Sequence, residues 1–340
     1  MREPDFANLA RVLEKKRPHR PTLFEFFLNA KLYEDLAGFP FSPGLNMLSD
    51  EKVLIAAFSA AGYDYATIVG SDFSFKSGQS SSLKTKSINE GGVITDRESF
   101  NAYEWPDPDA CDYSRLKRSG SLLPKNMKMI VWGDGGIFEN AVKLVGYENL
   151  CYMLADDEIL VTDIFEEVGS RFLRYYEICA GFDSVGAIIS NDDWGFSSQT
   201  LLSAEDLRKY VFPWHKRIAE AAHKSGKYAI LHSCGNLSEV MEDIWLDMGF
   251  DGKHSYEDKI LPVERAYELY SDKIAILGGI DIDFCCRETP DRIRVRAEEL
   301  IRKSDEKGSY ALGTGNSIPD YLPRENYFAM ISAAAGDLLR

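Results

Sequence analysis

Residues 205–236 read EDLRKYVFPWHKRIAEAAHKSGKYAILHSCGN. The first part has helical spacing, and Lys227 to Cys234 is a short apolar run. A helix leading straight into such a run is half of a βαβ unit, and repetition of that unit builds a parallel sheet. The run ends in His232-Ser233-Cys234 and stops at Gly235. Side chains alternate along a strand, so His232 and Cys234 share a face and set an imidazole beside a thiol. That pairing suits a soft metal, a reactive thiol or a hydrogen-bonded core pair.

The same alternation recurs outward from this stretch. The runs are PTLFEF (21–26), YATIVG (65–70), MKMIVWGD (127–134), VGAIISND (185–192), KYAILHSC (227–234), GFDGKHSY (249–256), KIAILGGID (273–281) and SYALGTGN (309–316). Between most of them lie helical segments such as DEILVTDIFEEVGSRFLRYYEICAGF and TPDRIRVRAEELIRKSD. Ser203 opens one helix as a hydroxyl cap, and Thr289-Pro290 opens another. Eight strand–helix units predict a (β/α)8 barrel. A doubly wound sheet fits less well, because no glycine-rich turn follows the first run. The chain is expected to be one barrel domain, 1–340, and residues 71–126 interrupt the alternation after the second strand. That segment holds KSGQSSSLKTKS, INEGGVITDRESF and YEWPDPDACDY, and it reads as an insertion forming a hairpin and a lid over the mouth.

Composition narrows the partners. The 340 residues carry a formal charge of 39 − 54 = −15. A net acid of this size argues against nucleic acid and against an anionic membrane surface. No apolar run reaches about 18 residues, so no membrane span is expected. The N-terminus has no secretory h-region, and the expected location is cytoplasmic. The scattered cysteines 111, 151, 179, 234, 285 and 286 read as free thiols or ligands. Cys111, Cys151 and Cys179 are expected to be buried thiols. A homodimer is the expected assembly.

Barrel chemistry gathers at the C-terminal strand ends. Those ends supply Glu25, Asp134, Asn191, Asp192, Asp193, His232, Cys234, Asn236, His254, Tyr256, Asp281 and Asn316, whereas the strand bodies are apolar. Catalytic candidates are Glu25, Asp192, Asp193, His254 and Tyr256. Asp192 and Asp193 face opposite ways, so at most one of them works in the mouth. His254 and Tyr256 share a face. Cys285 and Cys286 point apart, so at most one of them reaches His232 and Cys234.

The segments SNDDWG, the 201–236 helix–strand unit, LGGID and LGTGNSIPDYLPRENYFAMISAA resemble the superfamily of uroporphyrinogen decarboxylase and the corrinoid-dependent methyltransferases. The resemblance spans about 127–340, and more loosely the first 70 residues. It implies a distorted (β/α)8 barrel. Its methyltransferase branch implies zinc held by a His-x-Cys pair, here His232 and Cys234, and by a cysteine after a G-x-G. Asn316 stands at that third position, so Glu25, Asp193 or one of Cys285 and Cys286 is left to complete the set. Asn236 and Asn316 are expected to contact the cofactor, and a corrinoid protein is the expected partner. Phe residues with Trp132, Trp194, Tyr103 and Trp105 would line an apolar cavity for a small methylated donor. The decarboxylase branch requires a cationic mouth, and this sequence has Glu25 there. A cofactor-free decarboxylase and an inactive ligand- or corrinoid-docking barrel remain as alternatives.

Overall fold

Each apolar run becomes a stave of one parallel sheet. The computed structural model describes residues 2–45, 48–78, 89 and 92–336. Its strands are β1 (Tyr65–Val69), β2 (Lys128–Trp132), β3 (Val185–Asn191), β4 (Tyr228–His232), β5 (Gly252–His254), β6 (Ala275–Leu277) and β7 (Tyr310–Ala311). They lie side by side in chain order, each parallel to the next. The first run adds the eighth stave through one parallel bridge, Leu23 to Leu312. There Phe24 N donates to Leu312 O at 2.7 Å, and Leu312 N donates to Thr22 O at 2.8 Å. Toward β1 the Tyr65 hydroxyl accepts from Glu25 N and donates to Glu25 O, both at 2.7 Å. A side chain thus bridges the place where a regular barrel has a ladder, and the result is a distorted (β/α)8 barrel.

The crossovers follow the expected caps. Ser203 accepts from Asp206 N at 3.0 Å, and Thr289 accepts from Arg292 N with Pro290 in the first turn. The helix before β4 is not uniform. Residues Leu207–Val211 form a π turn ahead of the α-helix Phe212–Lys224. Pro213 lacks an N–H, so the ladder loses a donor there and the preceding turn widens. Gly235 ends the β4 stretch because its backbone meets another loop. At φ +87°, an added Cβ would lie 2.1 Å from Gly195 O.

The insertion is helical where it is described. It contains the helices Arg97–Ala102 and Ser114–Leu122 and the 3₁₀ turn Pro108–Ala110, with no strand among the described residues of 71–126. Residues 79–88, 90 and 91, on which part of the expected hairpin falls, lie outside the described residues. Tyr103 and Trp105 belong to an aromatic cluster within the insertion. Tyr103 packs on Trp105, Trp105 also meets Phe75 and Phe100, and Arg171 from the helix Glu158–Ala180 lies 5.1 Å over the Trp105 ring. Among the described residues no helix is long and apolar enough to cross a membrane.

Candidate active site

The register aligns the inward-facing residues. Asn191 pairs with His232, and His232 pairs with His254, so the three side chains project from one level of the sheet. Cys234 follows β4 on the same side as His232, with Sγ 3.6 Å from His232 Nε2. Asp193, from the loop after β3, closes the group. Its Oδ1 accepts from Cys234 N at 2.8 Å and lies 4.0 Å from His232 Nε2. The ligand atoms of Asp193, His232 and Cys234 all lie within 4.8 Å of one another. His232 is buried, Cys234 is half-buried and the Asp193 side chain is 42% exposed, so the group opens toward solvent on the Asp193 side.

A second layer stands behind it. His254 Nδ1 lies 2.8 Å from His232 Nδ1, and His254 Nε2 lies 3.0 Å from Thr314 O. Thr314 N donates to Glu25 Oε1 at 2.7 Å, and Thr314 Oγ1 lies 2.8 Å from Glu25 Oε2. The same hydroxyl contacts the Asn316 carbonyl, which only accepts. The single Thr314 hydroxyl proton therefore goes to Asn316 O, and Glu25 Oε2 must supply the proton in its own contact. Burial agrees, pushing the Glu25 carboxyl up to about 8, opposed in part by the Thr314 N–H. Glu25 is a neutral, fully buried brace and does not reach the mouth.

Burial also shifts each member of the group toward its neutral form. It pulls the His232 imidazole down to about 3, with Lys253 adding to the effect. It also lowers His254 well below its ordinary value, with His232 as the next cause. Burial and then Asp193 push the Cys234 thiol above its ordinary value, and burial raises the Asp193 carboxyl. The thiol donates to Ser255 Oγ at 3.4 Å, and Asn316 Nδ2 donates to the sulfur at 3.4 Å. Asn316 Oδ1 is taken by Ser317 N at 2.7 Å, so the amide supports the sulfur with its donor end.

Several expected residues sit elsewhere. Asp192 is fully buried. It accepts from the N–H groups of Phe138 and Glu139 and pairs with His215 Nε2, each at 2.9 Å, which anchors the helix Ile137–Val145. Tyr256 does not share the His254 face. Ser255 takes φ +151°, rare for a residue with a side chain, and alternation breaks there. The Tyr256 ring instead covers the Lys253 ammonium at 4.5 Å. Asn236 organises its own loop, donating to Ser198 O and accepting from Ser238 N. Trp194 is fully buried against Phe212 and His215, whereas Trp132 stacks on Phe27 and meets Phe26 edge-on. Phe26 lies 4.9 Å from the His232 ring, so these three aromatic rings form the wall beside the group. Cys285 is buried, Cys286 is half-buried, and neither joins the group among the described residues. Cys179 is buried as expected, but Cys151 is exposed and Cys111 half-buried.

Sequence reasoning missed three residues. Thr314 acts partly through its carbonyl, which no side-chain pattern reveals. Lys253 points outward, donating to Ser255 O at 2.6 Å and Ser233 O at 3.3 Å, and burial pulls it down to about 8. Glu139 is raised well above the usual carboxyl range by burial, then by Asp192 and Asp193. Its spacing from Gly136 fits a capping box, and its Oε2 accepts from Gly136 N at 3.0 Å.

Comparisons with known proteins bear on the family and the fold. A family model described as uroporphyrinogen decarboxylase (URO-D) matches residues 93–336. The chain is 30% identical over 197 residues to a methylated-thiol–coenzyme M methyltransferase of Methanosarcina mazei, covering 58% of this chain and 50% of that one. It is 29% identical over 133 residues to a uroporphyrinogen decarboxylase of Anaeromyxobacter dehalogenans, covering 39% and 36%. These matches span about half or less of the relatives' own length. Among solved structures, a methyltransferase from Methanosarcina mazei superposes with a TM-score of 0.69 at 15% identity, covering 96% of this chain and 97% of that one. By the extent of the family match, the chain belongs to the uroporphyrinogen decarboxylase family.

Proposed function

We propose that this chain is a methyltransferase that moves a methyl group from a small methylated donor to a corrinoid protein, and that Asp193, His232 and Cys234 hold zinc. The observation that carries the reading is the convergence of one nitrogen, one sulfur and one oxygen donor at the barrel mouth. Such a set fits zinc, and three protein ligands leave a position for a substrate. Zinc, when bound, supplies positive charge to the heteroatom that loses the methyl group.

The remaining roles belong to the chain. Asn316 and Ser255 orient the sulfur. Phe26, Phe27 and Trp132 offer the donor an apolar wall and thin the water around it. Glu139, whose carboxyl is raised by burial beside Asp192 and Asp193, is the proton donor this reading assigns to the leaving heteroatom. Residues 1–340 are read as one domain with 71–126 inserted in it.

The relatives named uroporphyrinogen decarboxylase favour a second reading, decarboxylation of a carboxylate substrate. Asp193 at the mouth makes it a poor host for a polyanion. The test is anaerobic transfer to reduced cobalamin from a panel of thioether, ether and amine methyl donors. Transfer lost in Cys234→Ala supports the proposal. Zinc-loaded protein that transfers from no donor yet releases CO₂ from uroporphyrinogen overturns it.

A further inference from the structure

We propose that His254 is a positioning residue that holds His232 in a single tautomer, protonated at Nδ1 and bare at Nε2. The inference follows from counting donors. Thr314 O can only accept, so the 3.0 Å contact requires a proton on His254 Nε2. Neutral histidine carries one ring proton, so His254 Nδ1 is left as an acceptor. His254 is fully buried, its ring packs on Phe24, and its hydrogen-bond partners are His232 and a carbonyl, with no carboxylate. The 2.8 Å contact between the two Nδ1 atoms then needs its proton from His232. What remains on His232 is an unprotonated Nε2, the atom that faces Cys234 Sγ at 3.6 Å and Asp193 Oδ1 at 4.0 Å.

The backbone is built to keep this chain of contacts. Thr314 O also accepts from Gly279 N at 2.8 Å, and Glu25 grips the Thr314 N–H and hydroxyl from the other side. Gly278, at φ +67°, makes the approach possible. A Cβ there would lie 2.2 Å from Thr314 O and 3.0 Å from His254 Nε2. The relay Glu25–Thr314–His254–His232 therefore presents a lone pair to the mouth before any ligand arrives, and no imidazole proton has to leave when one binds.

The value of the bare nitrogen rests on the proposed zinc site, but the tautomer itself does not. The experiment reads them separately. Long-range ¹H–¹⁵N correlation spectra of the metal-free protein report the tautomer of each of the five histidines, with His232 assigned by loss of its signals in His232→Gln. The expected result is His232 protonated at Nδ1 and His254 at Nε2. A proton on His232 Nε2, or on both nitrogens of His254, overturns the proposal in the wild-type protein alone. His254→Leu removes the acceptor, and zinc affinity measured by chelator competition is expected to fall about 10–100-fold. His254→Asn keeps an acceptor near the Nδ1 position and is expected to restore most of that affinity and the His232 Nδ1 proton. Unchanged affinity and an unchanged tautomer in folded His254→Leu also overturn it. Failure of methyl transfer with the tautomer as expected refutes only the function reading.

Discussion

Glu25→Gln is the sharpest perturbation of the brace behind the site. The Glu25 carboxyl is fully buried and raised from 4.5 to about 8, so it is protonated in the fold at neutral pH and ionised in the unfolded chain. The folded state then holds one more proton than the unfolded state between the two values. Stability therefore falls as pH rises through this window, by about 1.4 kcal/mol per pH unit from this group alone. Glutamine mimics the neutral acid. Its carbonyl accepts from Thr314 N, and its amide donates to Thr314 Oγ1, the proton direction that the Asn316 carbonyl contact demands. The variant should match the wild type near pH 5 and become more stable than it as pH rises, because its slope lacks the Glu25 contribution. Urea unfolding of both proteins at half-unit pH steps from about 5 to about 8 measures the difference. If the two curves stay parallel, or if the variant is weaker at every pH by about 1.5–3 kcal/mol as for loss of a charged hydrogen bond, the carboxyl is ionised in the fold and the reasoning fails.

Three further outcomes are expected. Asp193→Ala should weaken zinc binding by at least about tenfold, since loss of even an outer partner of a ligand has that effect, while Asn316→Cys should tighten it by adding a thiol near Cys234; chelator competition measures both. Zinc uptake should release one proton from the Cys234 thiol, so apparent affinity rises about tenfold per pH unit below the thiol's value; uptake without proton release in weakly buffered titration would contradict the protonated thiol. Gly235→Ala forces a side chain into the left-handed region and against Gly195 O at 2.1 Å, and it should lower unfolding stability by about 1–3 kcal/mol with some loss of zinc affinity.

The barrel was legible because most staves are apolar runs long enough to show in one sequence, and all eight runs, the polar GFDGKHSY included, lie in the sheet or its closing bridge. The His232–Cys234 pair was legible for the same reason, since period-two alternation holds through the end of β4. Alternation also limited Asp192 and Asp193 to opposite directions but gave no reason to choose between them. The choice depends on His215 and the helix Ile137–Val145, which claim Asp192 from distant parts of the chain. Tyr256 was misplaced because Ser255 leaves extended geometry, and backbone dihedrals carry no reliable mark in serine. Trp194 was placed in the cavity on its aromatic character alone, whereas its ring fills the space between Phe212 and His215. Thr314 and Gly278 contribute a carbonyl and an absent methyl, and neither feature has a pattern to read.

Metal content and X-ray absorption of protein purified without chelator address the three-residue centre most directly. The account predicts zinc near one per chain, with one sulfur and otherwise nitrogen and oxygen neighbours, lost in Cys234→Ala and retained in Cys286→Ala. Zinc that survives Cys234→Ala, or a spectrum with two or more sulfur neighbours, would contradict it.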